Sequence, residues 1–182
     1  MKIMTLLGSS RRDGNTEYLV NKAVEGIKHT EIYLREKQIE PIIDQRHVPG
    51  GFDKVEDEYE ALFFEFLEQD IIIFVTPLYW FGMSAQMKAF IDRWSQYMQD
   101  KRINFKEAMN GKKIYVITAG ENPHPRTAAL PLILHFQAIC EYLGMEFTDY
   151  IIAKGNKPKE VVQDTMALAK ASLWNEELKN TK

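Results

Sequence analysis

The chain has 182 residues, of which 45% are hydrophobic and 27% charged, with 23 Lys and Arg against 26 Asp and Glu. That length suits one domain, residues 1–182, with a sizeable core. The near-balance of charge leaves no footprint for nucleic acid or an anionic membrane surface, no apolar run reaches bilayer length, and a single cysteine, Cys140, excludes an internal disulfide and any multi-cysteine metal or iron–sulfur site.

The N-terminus enters a strand pattern at once, KIMTLL (2–7), with no basic segment and apolar core of a signal peptide, so the expected compartment is the cytoplasm. A polar loop follows, GSSRRDGNT (8–16), and then Leu19, Val20, Ala23, Val24 and Ile27 recur at helical spacing. A strand-to-helix turn aims free backbone N–H groups and a positive dipole end at one spot, a ready phosphate site. Asn15 or Thr16 can cap that helix, and Arg11 or Arg12 adds a guanidinium fork suited to phosphate. The same residues also describe a solvated surface turn. The loop lacks G-x-x-x-x-G-K-[ST], G-x-G-x-x-G and any cysteine, which sets aside an NTPase P-loop, a dinucleotide-binding Rossmann turn and a cysteine phosphatase. What remains is a site that holds a phosphate without transferring it, which suits a flavin mononucleotide.

Residues 30–34 (TEIYL) form a weaker strand candidate nearer a sheet edge, followed by a helical stripe of Val55, Tyr59, Leu62, Phe63, Phe66 and Leu67. DIIIFV (70–75) and KKIYVIT (112–118) are apolar, β-branched runs suited to strands buried on both faces. Between them lie the loop TPLYWFGMS (76–84) and a helix with Phe90, Ile91, Trp94 and Met98 on one face. Three successive aromatics, Tyr79, Trp80 and Phe81, cannot all enter one core; they suit stacking on a planar ring or a rigid turn that plugs the sheet end. The next loop, TAGENPHPR (118–126), lets a ligand approach backbone at Thr118, Ala119 and Gly120; its His124 reads as a solvated loop histidine, not a catalytic one. A helix with Leu132, Phe136, Ile139, Cys140 and Leu143 stops at Gly144, FTDYIIA (147–153) is another edge strand, and Val161, Val162, Met166, Ala169 and Leu173 mark the last helix. Alternation of this kind calls for a doubly wound parallel sheet with helices on both faces, whose ligands bind beyond the strand carboxyl ends.

Together the loops resemble those of the flavodoxin-like NAD(P)H-dependent FMN reductases, in their multimeric, iron–sulfur-flavoprotein-like branch. GSSRRDGNT is close to that branch's GSPRKxGNT, and TPLYWFGMSAQMKAFIDR to its P-x-Y-x-x-x-x-x-x-x-K-x-x-I-D-R; the likeness runs from Met1 to about Tyr150. It implies a five-stranded α/β sheet in the order 2-1-3-4-5. It implies that Ser9, Ser10, Arg11, Asn15 and Thr16 surround an FMN phosphate, that Pro77, Leu78, Tyr79, Trp80, Phe81 and Gly82 border the isoalloxazine, and that Thr118, Ala119, Gly120 and Glu121 close the far side. It further implies hydride passing from NADH or NADPH through FMN to a small acceptor such as a quinone, a nitroaromatic or another flavin, in a homodimer or homotetramer with the third helix near the subunit interface. No side chain need act as an acid or base. Lys88 and Asp92 are spaced to pair, with Arg93 beside them, which points to a structural role. Two departures stand out. Ser10 replaces the usual proline, and LREKQIEPIIDQRHVPGGFD (34–53) lacks the branch's clustered cysteines, so electron transfer is the flavin's alone. A flavodoxin-like carrier without pyridine nucleotide activity is the main rival. A phosphoacceptor receiver domain is a weaker one, since Gly8-Ser9-Ser10 and Thr76-Pro77-Leu78 stand where it needs acidic residues.

Overall fold

The computed structural model describes residues 1–121 and 124–181. In chain order it contains β1 (Ile3–Leu7), α1 (Asn15–Ala23), β2 (Thr30–Tyr33), α2 (Tyr59–Leu67), β3 (Ile71–Pro77), α3 (Ala85–Asp92), α4 (Trp94–Tyr97), α5 (Phe105–Met109), β4 (Lys113–Gly120), α6 (Pro125–Ala128), α7 (Leu130–Leu143), β5 (Glu146–Lys154) and α8 (Thr165–Asn180). Short 3₁₀ turns follow β2 at Leu34–Glu36 and β5 at Glu160–Gln163. The five strands form one parallel sheet in the order β2-β1-β3-β4-β5, as the family resemblance implied. β1, β3 and β4 are the strands whose side chains are buried on both faces, which explains their unbroken apolar sequences.

The two faces of the sheet are filled differently. Under α2–α5 and α7 lies an aromatic cluster in which Tyr59, Phe63, Phe66, Phe90, Trp94 and Tyr97 are buried, with the Phe63 and Tyr97 rings 3.9 Å apart. Under α1 and α8 the core is aliphatic and small, with Ala23, Ala167 and Ala171 around Trp174. Trp174 keeps its indole N–H satisfied by donating to Asp149 Oδ2 at 2.7 Å.

Three helical expectations need correction. Val55 lies before α2 and is 36% exposed, because α2 begins only at Tyr59. The third helix is two pieces, α3 and α4, meeting at Arg93, and Met98 falls beyond α4 and is 42% exposed. In the last helix Val161 is buried but precedes α8, whereas Val162, Met166, Ala169 and Leu173 are exposed; the buried face is Ala167, Ala171, Trp174 and Leu178. Alanines let α8 approach the sheet closely, so the contact stripe is the small one. By contrast α7 ends where expected, at Gly144, whose φ of +70° is a left-handed conformation that favours glycine.

Arg93, at the junction of α3 and α4, is bound to the segment before α2. Its guanidinium donates to Glu40 O at 2.9 Å and Asp57 Oδ2 at 2.7 Å and lies 4.4 Å over the Tyr59 ring. Asp57 Oδ2 also accepts from Glu40 N at 3.0 Å. The buried ion pair therefore closes the base of the long excursion between β2 and α2. Lys88 and Asp92 do pair, Nζ to Oδ1 at 2.5 Å, on the outer face of α3.

Candidate flavin-binding cleft

The register brings the carboxyl ends of the strands to one edge, with Leu7 beside Tyr33 and Val75, Pro77 beside Ala119, and Gly120 beside Lys154. A cleft of about 210 Å³ opens there, lined by Ser9, Arg11, Gly14, Asn15, Thr16, Pro77, Leu78, Tyr79, Ala119, Gly120, Glu121, Gly155 and Asn156. Ten of the sequence-chosen residues thus meet in one place. Ser10, Trp80, Phe81, Gly82 and Thr118 do not line it. Asn122 and Pro123 of the third loop lie outside the described residues.

The first loop supplies an open helix terminus. Gly14, not Asn15 or Thr16, occupies the cap position, and it has no side chain with which to satisfy the first-turn amides of α1. Those N–H groups and the helix dipole favour an anion. Ser9 is 5% exposed and its Oγ accepts from Arg11 N at 3.1 Å, which folds the loop back on itself. Arg11 lines the cleft and donates from Nη1 to Asn156 O at 2.5 Å. Arg12 points instead to Glu36, with 3.5 Å between the charges. One acidic residue, Glu17, sits in the first turn of α1 and opposes an anion; Arg35 Nη1 donates to it at 3.3 Å and to Arg11 O at the same distance. Both side chains are 11% exposed, and the Arg35 guanidinium lies 4.1 Å over the Tyr33 ring. Sequence reasoning missed Arg35, since a lone arginine after an edge strand carries no motif.

The second loop is a tight two-residue turn. Tyr79 and Gly82 exchange backbone hydrogen bonds of 3.0 and 2.9 Å. The residues between, Trp80 and Phe81, have φ of +49° and +65°. This is the backbone of a type I′ turn, in which Asn and Gly are usual. Two bulky aromatics in left-handed conformations are strained. Tyr79 borders the cleft, whereas the Trp80 indole is 96% exposed at the tip. Thr76 Oγ1 anchors the far end of the loop by accepting from Ser84 N at 2.9 Å.

From the third loop Ala119, Gly120 and Glu121 face the cleft, and Leu78 N donates to Ala119 O at 3.0 Å to tie the second and third loops together. Thr118 is fully buried beneath them, its hydroxyl unpaired among the described residues.

A fourth loop, after β5, was not anticipated. Gly155 and Asn156 line the cleft, and Asn156 is held three ways: its O accepts from Arg11, its Nδ2 donates to Glu121 Oε2 at 2.6 Å, and its N donates to Glu160 Oε2 at 2.8 Å. Glu160 takes a second backbone donor, Lys157 N, at 3.0 Å, and these N–H groups hold its carboxyl below the usual range. The only available hint was the glycine directly after a strand.

These groups fit an anionic ligand with a planar end. Uncapped amides, two nearly buried hydroxyl residues (Ser9 and Thr16) and a guanidinium stand on one side; backbone from Pro77 to Tyr79 and from Ala119 to Glu121 forms two walls on the other. No group of three or more His, Cys, Asp or Glu able to hold a metal occurs among the described residues, and no described helix is long and apolar enough to cross a membrane. Cys140 is buried on the inner face of α7 and does not line the cleft, and burial pushes its thiol up to about 12.

Residues 1–176 match the family model described as flavodoxin-like fold. A protein of Bacillus subtilis named as an NAD(P)H-dependent FMN-containing oxidoreductase, YwqN, is 44% identical over 173 residues, covering 94% of this chain and 95% of its own. An iron–sulfur flavoprotein of Methanocaldococcus jannaschii is 34% identical over 99 residues, 51% of each chain. Among solved structures, a Trp repressor binding protein from Bacillus subtilis superposes with a TM-score of 0.80 at 41% identity, covering 95% of this chain and 99% of that one. The chain belongs to the flavodoxin-like family, in the group that holds the NAD(P)H-dependent FMN-containing oxidoreductases.

Proposed function

We propose that the protein binds FMN in this cleft and uses it to pass electrons from NADH or NADPH to a small planar acceptor such as a quinone, a nitroaromatic or free flavin. The observation that carries this reading is the junction, in one cleft, of an uncapped helix terminus with Arg11 and of two backbone walls that suit a flat ring. Relatives named as FMN-dependent NADH:quinone oxidoreductases, such as that of Paraburkholderia phymatum at 30% identity over 103 residues, support a quinone-like acceptor. When bound, FMN supplies the two-electron carrier. Arg11, Ser9, Thr16 and the α1 amides hold the phosphate, while the 77–79 and 119–121 backbone orients the ring and excludes water from its edge. No acid–base pair is needed.

The test is a visible spectrum of the purified protein followed by anaerobic titration with NADH and with NADPH. Bleaching of bound flavin by either supports the reading; bound flavin that neither bleaches identifies an electron carrier. Walls on two sides leave one face for stacking, and hydride transfer needs contact at roughly 3–3.5 Å. Donor and acceptor must therefore alternate, and steady-state kinetics follow a ping-pong pattern with parallel double-reciprocal lines.

The functional unit is a homodimer or homotetramer. A groove between α3–α4 and α7 supports this, lined by Lys88, Ile91, Asp92, Trp94, Met98, His135 and Tyr142. The buried Trp94 indole N–H has no partner among the described residues, and Leu134 and Tyr142 on α7 are 62% and 61% exposed. Sedimentation at micromolar concentration gives a mass of at least two chains; a fully active monomer overturns this.

A further inference from the structure

Asn15 opens α1 and is 6% exposed, and by family resemblance it belongs to the phosphate loop. Its side chain is nevertheless engaged elsewhere. Asn15 Nδ2 donates to Lys157 O at 3.0 Å, and Asn15 Oδ1 accepts from Val161 N at 3.2 Å. Both partners lie in the loop after β5, more than 140 positions away along the chain. The face of the amide rests on Gly155, where an added Cβ would stand 2.8 Å from Asn15 Nδ2 and 2.9 Å from its Cγ. Such an approach has no room for a side chain. An amide with its carbonyl and one N–H directed at backbone, and its flat face against Gly155, is poorly placed to hold an anion.

We infer that Asn15 is a positioning residue, which clamps residues 155–161 so that Gly155 and Asn156 form the fourth wall of the cleft. It binds the protein's own loop and not the ligand. The anion is left to the open α1 amides, Ser9, Thr16 and Arg11. Through this clamp the first turn of α1 and the loop after β5 form one unit, which explains how Arg11 and Glu121 both come to share Asn156. The inference rests on the flavin reading only for the identity of the ligand.

The test compares two ligands and two variants. In Asn15→Ala, FMN and riboflavin should lose affinity by the same factor, roughly tenfold for two hydrogen bonds at about 1 kcal/mol or less each. In the flavin-free protein, exchange of the Val161 amide hydrogen should accelerate. Gly155→Ala should be destabilising by thermal melting in the natural background and less so when combined with Asn15→Ala, because the two nearest atoms that the new methyl meets are then gone and only Val161 N, at 3.2 Å, remains. A loss confined to FMN, with riboflavin unaffected, makes Asn15 a phosphate ligand and overturns the inference. Unchanged Val161 exchange, or additive effects of the two substitutions, overturns it as well. If the protein binds no flavin, the exchange and melting experiments still decide the clamp, so its failure is separable from that of the proposed function.

Discussion

The two sides of the cleft are built on opposite plans. On one side the loops after β1 and β5 are cross-braced by Arg11 and Asn15, and the second of these loops is tied within itself by Glu160 and to the loop after β4 by Asn156 and Glu121. On the other, the turn from Tyr79 to Gly82 is held by its own two backbone bonds, carries two left-handed aromatics and leaves Trp80 in solvent. The braced side is pre-organised for a charged group, whose binding gains most from donors that need not move. The strained side stores backbone energy in a turn that begins at Tyr79, on the cleft, and carries its tip into solvent.

The largest effect is expected on the braced side. Arg11→Ala removes a charge-assisted contact typically worth about 1.5–3 kcal/mol, so FMN affinity should fall by one to two orders of magnitude with the fold intact. Fluorescence titration reads this directly, and an unchanged dissociation constant would mean the anion sits elsewhere. On the strained side, Phe81→Gly relieves a left-handed bulky residue and should raise stability by about 1 kcal/mol, seen as a higher melting temperature. A lower one would show that the Phe81 ring contributes more than its backbone costs.

Acid distinguishes the two sides next. The Glu160 carboxyl is held below its ordinary 4.5 by the N–H groups of Asn156 and Lys157. Its folded form therefore binds protons less readily than the unfolded chain. The contribution is complete above that ordinary value and disappears as pH falls through the lower folded one. Exchange in residues 155–160 should accelerate below that value while the Tyr79–Gly82 turn is unaffected, and Glu160→Gln should remove the step. The smallest effect is spectroscopic. Trp80 is 96% exposed whereas Trp94 and Trp174 are buried, so Trp80→Phe should remove the red-shifted part of the emission without changing the melting temperature.

Much of this architecture was readable from the sequence, for reasons visible in particular residues. Strands 70–75 and 112–118 had to be central because both of their faces are apolar, and Gly144 had to end a helix. The last helix misled because Met166 and Leu173 are larger than Ala167 and Ala171, yet close packing on the sheet selects the small stripe. The motif points Asn15 at the phosphate, whereas its side-chain partners within the protein, Lys157 and Val161, are set by tertiary contacts that no local pattern encodes. The fourth loop, KGNKPK, reads as an ordinary polar connection until the neighbouring strand order places it beside the first.

Cys140 bears on durability. Quinones alkylate thiolates, and electron transfer in air yields peroxide, which oxidises them. The chain's single thiol is buried with its ionisation pushed up to about 12, so at neutral pH almost no thiolate exists to react. With a quinone as the proposed acceptor, such a chain offers it almost no thiolate, and should survive many turnovers without covalent inactivation at cysteine.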